Sequence, residues 1–357
     1  MSFLVAGCDL FGGNDENGEP SLEGTRVVVA NGGNFSAQDG SLTLYDPTER
    51  TASTADINVA FINSIKARDG RLYVVDNTSA DNAGRITVYD ASTLDRVAQI
   101  QNPRPPREIA FGAGDRAYVT NLSRFDANFT PLPSTVSILN LATGDVVDTV
   151  AVGRSPEGVV VAEGRAFVAN SAEGTLSVID TGADVVESTL DLCEGPNETF
   201  LDAQGEVAVV CEGSAEVIFL DPATLDIVDR ASVPGPVGSA NATQSTYYSA
   251  AGQVMIVING SPFDDVADSY YEIDTEANAF VRETTVPTTP RFAGIGAVAY
   301  DHLTQEVYLA RLPVGDPFTT QGTTFVLDAQ GTAVDSFDVG VSATHIEVLR
   351  NVEPPTP

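Results

Sequence analysis

A β-branched run closed by an acidic or amide residue returns seven times along the chain, and this repetition constrains the fold more than any other feature. The copies end in Leu44-Tyr45-Asp46, Val88-Tyr89-Asp90, Ile138-Leu139-Asn140, Val178-Ile179-Asp180, Phe219-Leu220-Asp221, Glu272-Ile273-Asp274 and Val326-Leu327-Asp328. Successive copies lie 44, 50, 40, 41, 53 and 54 residues apart, a period that belongs to solenoids, propellers and arrays. Asp and Asn suit the closing position because their side chains bond the backbone two residues on and so make a turn, as in Asp221-Pro222-Ala223-Thr224. We read these residues as structural.

Each copy carries four short strand signals. In the clearest, 157–162 is followed by a Glu163-Gly164 turn, 165–169, a loop over 170–174, 175–179, a second turn and 185–190, with no helical periodicity. Four antiparallel strands in each of seven copies predict an all-β, seven-bladed β-propeller. The two ends are complementary, since 26–29 matches the second strand of a unit and His345-Ile346-Glu347-Val348-Leu349 matches a first strand. The C-terminal strand is therefore expected to complete the N-terminal blade and close the ring. The expected layout is a leader and acidic tether over 1–24, one propeller over 25–350, and a disordered tail over 351–357.

The third copy contains Ala117-Tyr118-Val119-Thr120-Asn121 and the fourth Ala166-Phe167-Val168-Ala169-Asn170, with Thr175-Leu176-Ser177-Val178-Ile179-Asp180 downstream. These segments resemble the YVTN family of β-propeller repeats. Val28-Val29-Ala30-Asn31, Tyr73-Val74-Val75-Asp76 and Val257-Ile258-Asn259 echo them, whereas Cys211 and Arg311 stand where the Asn is expected. The resemblance implies the propeller fold over about 25–350. It leaves function open, because relatives include surface-layer proteins, periplasmic proteins and lactonase-like enzymes.

Composition narrows the function classes. Apolar residues make up 43% of 357, enough for a large core, and 31 glycines and 20 prolines fit a loop-rich globular chain. Fifty acidic residues face eighteen basic ones, for a net charge of -32, and Lys66 is the sole lysine. This balance excludes sequence-independent nucleic-acid binding, which needs a basic stripe to release counterions from phosphate, and it disfavours anionic membranes. The acidic surface resembles that of proteins from salt-loving organisms, with cation binding as the other reading.

Leu4-Val5-Ala6-Gly7-Cys8 resembles the lipobox of bacterial lipoproteins, which implies lipidation at Cys8. The stub before it has no basic residue, so the true start is expected upstream. The following stretch to Gly24 is rich in Gly, Asn, Asp and Glu and reads as a flexible tether. No apolar run of membrane-spanning length follows, so contact with a membrane is expected through the anchor alone. The expected location is the cell envelope, at the outer membrane or cell surface, with the periplasmic side also open. Export favours disulfides. A hairpin pattern between Cys193 and Cys211 brings them face to face, so we expect them to pair, the other reading being two separate small core residues.

In a propeller the segment entering each innermost strand and the connection between second and third strands share one face. The long connections here, 31–41, 76–85, 121–134, 259–269 and 311–323, all fall there. Entry segments place Asn63, Arg107, Glu108, Arg154, Glu157, Asn197, Glu198, Asn241, Arg291 and His345 around the channel mouth. Such a ring suits a small polar or anionic ligand held by arginine forks, or it pairs internally around a wet channel. Phe125, Phe129, Phe263 and Phe318 are candidate anchors for a protein or glycan partner, or they pack under their own loops. Asp264, Asp265 and Asp268 form an oxygen-rich loop that suits calcium, without the EF-hand spacing, and reads equally as a solvated acidic loop. No zinc or haem motif accompanies His302 and His345, and no cofactor is expected.

The favoured function is a monomeric, lipid-anchored envelope propeller that binds a protein, glycan or small ligand through its long-loop face without chemistry. The alternative is a lactonase-like hydrolase in which Arg107 and Arg154 hold substrate while His345, partnered by a glutamate such as Glu157, activates water. A third class, a structural envelope component, would have no discrete ligand.

Overall fold

The computed structural model describes residues 22, 24–34, 36–77, 83–238, 244–260, 267–286 and 292–350. Cys8, the expected leader and tether up to residue 21, and the tail 351–357 lie outside them. The described residues form seven sheets, each of four antiparallel strands, and contain no helix. None of the described segments is therefore a helix able to cross a membrane. The sheets are blades, and we number them along the chain. Blade 1 joins Arg26–Asn31, Gly40–Asp46 and Thr51–Val59 to the C-terminal strand Ala343–Leu349. Blades 2 to 7 follow as 62–102, 106–154, 156–191, 196–232, 246–285 and 292–341.

The expected closure is present. Ala343–Leu349 runs antiparallel to Arg26–Asn31, with Arg26 opposite Leu349 and Ala30 opposite His345. Blade 7 seals against blade 1 where the Tyr45 ring stacks on Phe337 at 4.3 Å and its hydroxyl donates to Asp335 at 2.7 Å.

The core is divided among the seven contacts between neighbouring blades. Between blades 1 and 2, for example, Val28, Ala30 and Leu42 pack on Ile62, Ile65, Leu72 and Val74. Second strands, sandwiched on both sides, are buried almost throughout, as in Val207–Cys211, whereas the outer strand Val185–Asp191 alternates exposed and half-buried residues. This gradient is why the second strand reads as a continuous apolar run and the fourth as an alternating one. Each fully buried Val, Leu or Ile contributes ~1.5–3 kcal/mol, so the ring is held by many equivalent seams.

All seven closing residues act as turn acceptors. The Asp46 carboxylate takes the Thr48 and Glu49 amides, Asp90 those of Ser92 and Thr93, and Asn140 those of Ala142 and Thr143. Asp180, Asp221, Asp274 and Asp328 repeat the pattern. The turn then needs a left-handed residue, supplied by Gly144 (φ 75°) and Gly331 (φ 77°) but also by Arg50, Leu94, Asp184, Leu225 and Asn278.

Candidate functional site

Innermost strands begin with a recurrent irregularity. Register shifts fall between Pro106 and Ile109, Pro156 and Val159, Pro196 and Thr199, Phe292 and Ile295, and Ile62 and Ser64. Proline is tolerated as the first strand residue because it has no amide hydrogen to pair. The bulge after it leaves two residues unpaired and re-aims them. That is how Arg107-Glu108, Glu157-Gly158 and Asn197-Glu198 come to line the open axis.

Long second-to-third connections rise from blades 6, 7, 1, 2 and 3, while blades 4 and 5 have only the short spans 170–175 and 211–216. Over blades 4 and 5, where the connections are short, lies a cavity of about 1040 Å³. Its lining includes Arg107, Glu157, Glu173, Asp191, Glu194, Asn197 and Glu212. Both expected anion grips are engaged: Arg107 Nε donates to Glu157 Oε2, and Arg154 Nε to Glu173 Oε1 at 2.8 Å. Carboxylates outnumber arginines, so the cavity favours a neutral, hydroxyl-rich or cationic guest over an anion. Burial raises the Glu212 pKa against the hydrogen bonds from Ser245 and Asn197. The Cys193–Cys211 disulfide closes the cavity wall, with Cα atoms 6.1 Å apart. Gly174, at φ 70°, lets the Cys193 carbonyl approach, since a Cβ there would meet that oxygen at 2.7 Å.

Further along the same strands the channel contains a second space of about 360 Å³. Lys66, Glu108, Glu198, Glu347, His345 and Gln244 supply its polar wall. Lys66 Nζ lies 3.8 Å from Glu108 Oε1. Burial opposes its charge, but Glu108, Glu347 and Glu198 outweigh that and raise its pKa. Glu198 is pushed up to about 8, first by burial and then by the nearby Glu108 charge. Its Oε1 accepts from the Ser245 amide, from Ser245 Oγ at 2.8 Å and from the Thr246 amide at 3.0 Å. His345 is buried, with Nε2 3.7 Å from Glu347 Oε1 and Nδ1 lacking a hydrogen-bond partner. The Gln244 side chain exchanges both its bonds with the Ile346 backbone, tying blade 6 to blade 1 across the axis.

A family model described as a domain of unknown function, DUF5074, matches residues 24–339. The chain belongs to that family. No curated protein matches it. Among solved structures it is similar to a Pseudomonas aeruginosa periplasmic gluconolactonase, with a TM-score of 0.69 and 16% identity over 92% of this chain and 100% of that one. It is also similar to a putative 6-phosphogluconolactonase from Bacteroides fragilis, with a TM-score of 0.66 and 13% identity over 93% and 100%. A quinonprotein alcohol dehydrogenase-like protein from Bacteroides thetaiotaomicron matches at 0.65 and 13% over 92% and 79%. At these identities the likeness establishes the fold alone.

In this DUF5074 propeller the expected mouth residues separate into two levels. Arg107, Glu157 and Asn197 line the upper cavity, whereas Glu108, Glu198 and His345 line the channel beneath. The trio Arg107, Glu157 and His345 is therefore divided between two spaces. Asn63 is a strut: it is buried and donates to the Pro106 carbonyl at 2.6 Å. Asp268 is committed to Arg311, at 2.6 Å, and to the Gly294 amide, at 3.0 Å. Asn241, Arg291, Phe263, Asp264 and Asp265 lie outside the described residues. Phe125, Phe129 and Phe318 are 61%, 85% and 49% exposed. Sequence reasoning missed Lys66, Glu212, Gln244, Ser245 and Glu347. Two signals were available: Lys66 is the sole lysine, and Glu347 shares a strand face with His345 two residues away.

Proposed function

We propose that this protein is an exported, lipid-anchored, monomeric propeller of the YVTN-repeat type that binds an envelope protein, a glycan or a small polar ligand through its loop face, without catalysis. The observation that supports this reading best is that Phe125, Phe129 and Phe318 stand exposed on long second-to-third connections, on the face that also carries the acidic cavity of blades 4 and 5. Ion pairing of Arg107 and Arg154 fits it too, because an enzyme for anionic substrates would keep such groups open. Lipidation is assigned to Cys8, and the acidic surface to a salt-rich habitat. The test is cross-linking on intact cells at growth salt, followed by mass spectrometry. We expect a stoichiometric partner attached through 121–134, and its loss in a Phe125→Ala, Phe129→Ala double variant. No reproducible partner, or capture indifferent to the substitutions, would overturn the reading.

A hydrolase working in the channel is the second reading, favoured by the unpartnered Nδ1 of buried His345 beside Glu347. The gluconolactonase and the putative 6-phosphogluconolactonase, as named, make a lactone the substrate to try. His345 Nδ1 would take a proton from water as its oxygen attacks the lactone carbonyl, then return it to the ring oxygen as the ring C–O bond breaks. Gluconolactone opening measured by pH-stat, with His345→Ala as control, decides it: the enzyme loses nearly all turnover, and the binder shows none to lose.

A further inference from the structure

Among the described residues, the long connection of blade 3 is folded as a small hairpin of its own. Leu132 N donates to Arg124 O at 2.7 Å, Asp126 N to Thr130 O at 3.0 Å, and Phe125 bridges Pro131. The Asp126 carboxylate closes the turn by accepting from Asn128 and Thr130 at 2.8 and 2.9 Å. At the tip Phe129 is 85% exposed and held at φ 60°, a conformation that costs a bulky residue energy. Beside this hairpin is a pocket of about 460 Å³ lined by Arg104, Pro105, Leu122, Ser123, Arg124 and Phe125.

Two features set this pocket apart on a chain of net charge -32. No carboxylate lines it, and neither Arg104 nor Arg124 forms an ion pair among the described residues, unlike Arg107, Arg116 and Arg154 of the same blade. Its backbone is also preset. Leu122 N donates to Pro105 O at 2.8 Å, buried Asn102 donates to Arg104 O at 2.6 Å, and Ser134 Oγ donates to Asn121 O at 2.8 Å.

We propose that this pocket is a subsite for a carboxylate-bearing pyranose, a uronic-acid unit of a glycan. The volume lies within the ~300–1,000 Å³ range of small-molecule sites. Arginine forks match a carboxylate's two oxygens, while Phe125, Leu122 and Pro105 offer an apolar surface to the C–H side of a sugar ring. The assignment rests on the binding reading above and specifies its ligand. It also divides the loop face, since the blade 4 and 5 cavity repels anions and this pocket attracts them.

The test is calorimetric titration of the purified full chain with trigalacturonate and with its methyl ester, at one salt concentration that preserves the circular dichroism of the fold. We expect the acid to bind at least about tenfold more tightly than the ester. Arg104→Gln and Arg124→Gln should each weaken it about tenfold, while Arg96→Gln, far from the pocket, should leave it unchanged. Equal binding of acid and ester, no binding of either, or indifference to both substitutions would overturn the subsite. Cell-surface capture that survives the Arg104→Gln, Arg124→Gln double variant would overturn it too, while leaving the loop-face reading intact.

Discussion

Arg311 and Asp268 meet at 2.6 Å, each side chain only 2% exposed, with Arg311 at a position where blades 1, 3, 4 and 6 carry asparagine. Removing one partner strands a buried charge, so Arg311→Met is expected to cost ~3–5 kcal/mol. Adding Asp268→Leu should recover most of that loss, and urea denaturation of the four chains in the cycle measures it. Glu198 shows the reverse case, a carboxyl that folding keeps protonated. Between about pH 5 and pH 8 the folded chain holds a proton there that the unfolded chain has released, so stability falls as pH rises through that window. Glu198→Gln retains the acceptor for Ser245 and has no proton to lose. At ~1.4 kcal/mol per pH unit, the variant should exceed the wild type by roughly 3–5 kcal/mol at pH 8.5 and by little at pH 5, and parallel pH profiles would refute this.

One position at the end of each second strand shows which parts of an element can be read from a repeat. Asn31, Asn121 and Asn170 each donate to two hydroxyls of the neighbouring strand: Ser41 and Thr43, Thr135 and Ser137, Thr175 and Ser177. Asp76 does the equivalent task differently, accepting from the Ala60 and Phe61 amides and from Arg85. The repeat made the position legible, and the departures at Cys211 and Arg311 were visible as departures. The reason for each lay in a partner from another connection, Cys193 or Asp268, and of these only the cysteine was foreseeable, because thiols pair with thiols. Replacing Cys193 and Cys211 by Ala is expected to cost about 3 kcal/mol for a loop of this length, read as a lower thermal midpoint under oxidising conditions, with no effect of added reductant on the variant. The entry segments were legible through their place in the repeat. Lys66 and Glu347 were not, since a polar residue inside an alternating strand resembles any solvent-facing one until the ring closes around it.

At the scale of the whole molecule, seven similar units with complementary ends sufficed to foresee the fold and its clasp, because each seam repeats the same local pairing. The cavity was not foreseen, although its cause is written in the sequence: the fourth and fifth copies lack the long connections of the other five. Deleting 343–357 removes the inner strand of blade 1 and exposes Val27, Val29 and Ile62. Such a chain is expected to lose cooperative unfolding and to aggregate in size-exclusion chromatography, and an intact sharp transition would show the ring tolerates an open seam. The clasp also fixes where the chain enters and leaves. Arg26 and Leu349 sit side by side at the end of blade 1 remote from the long connections. A bead or chip coupled directly at either of these two residues would therefore hold every copy with the side of the long connections outward. A dense layer of such copies becomes multivalent without any contact between them, and a single long polymer can be gripped at several points at once.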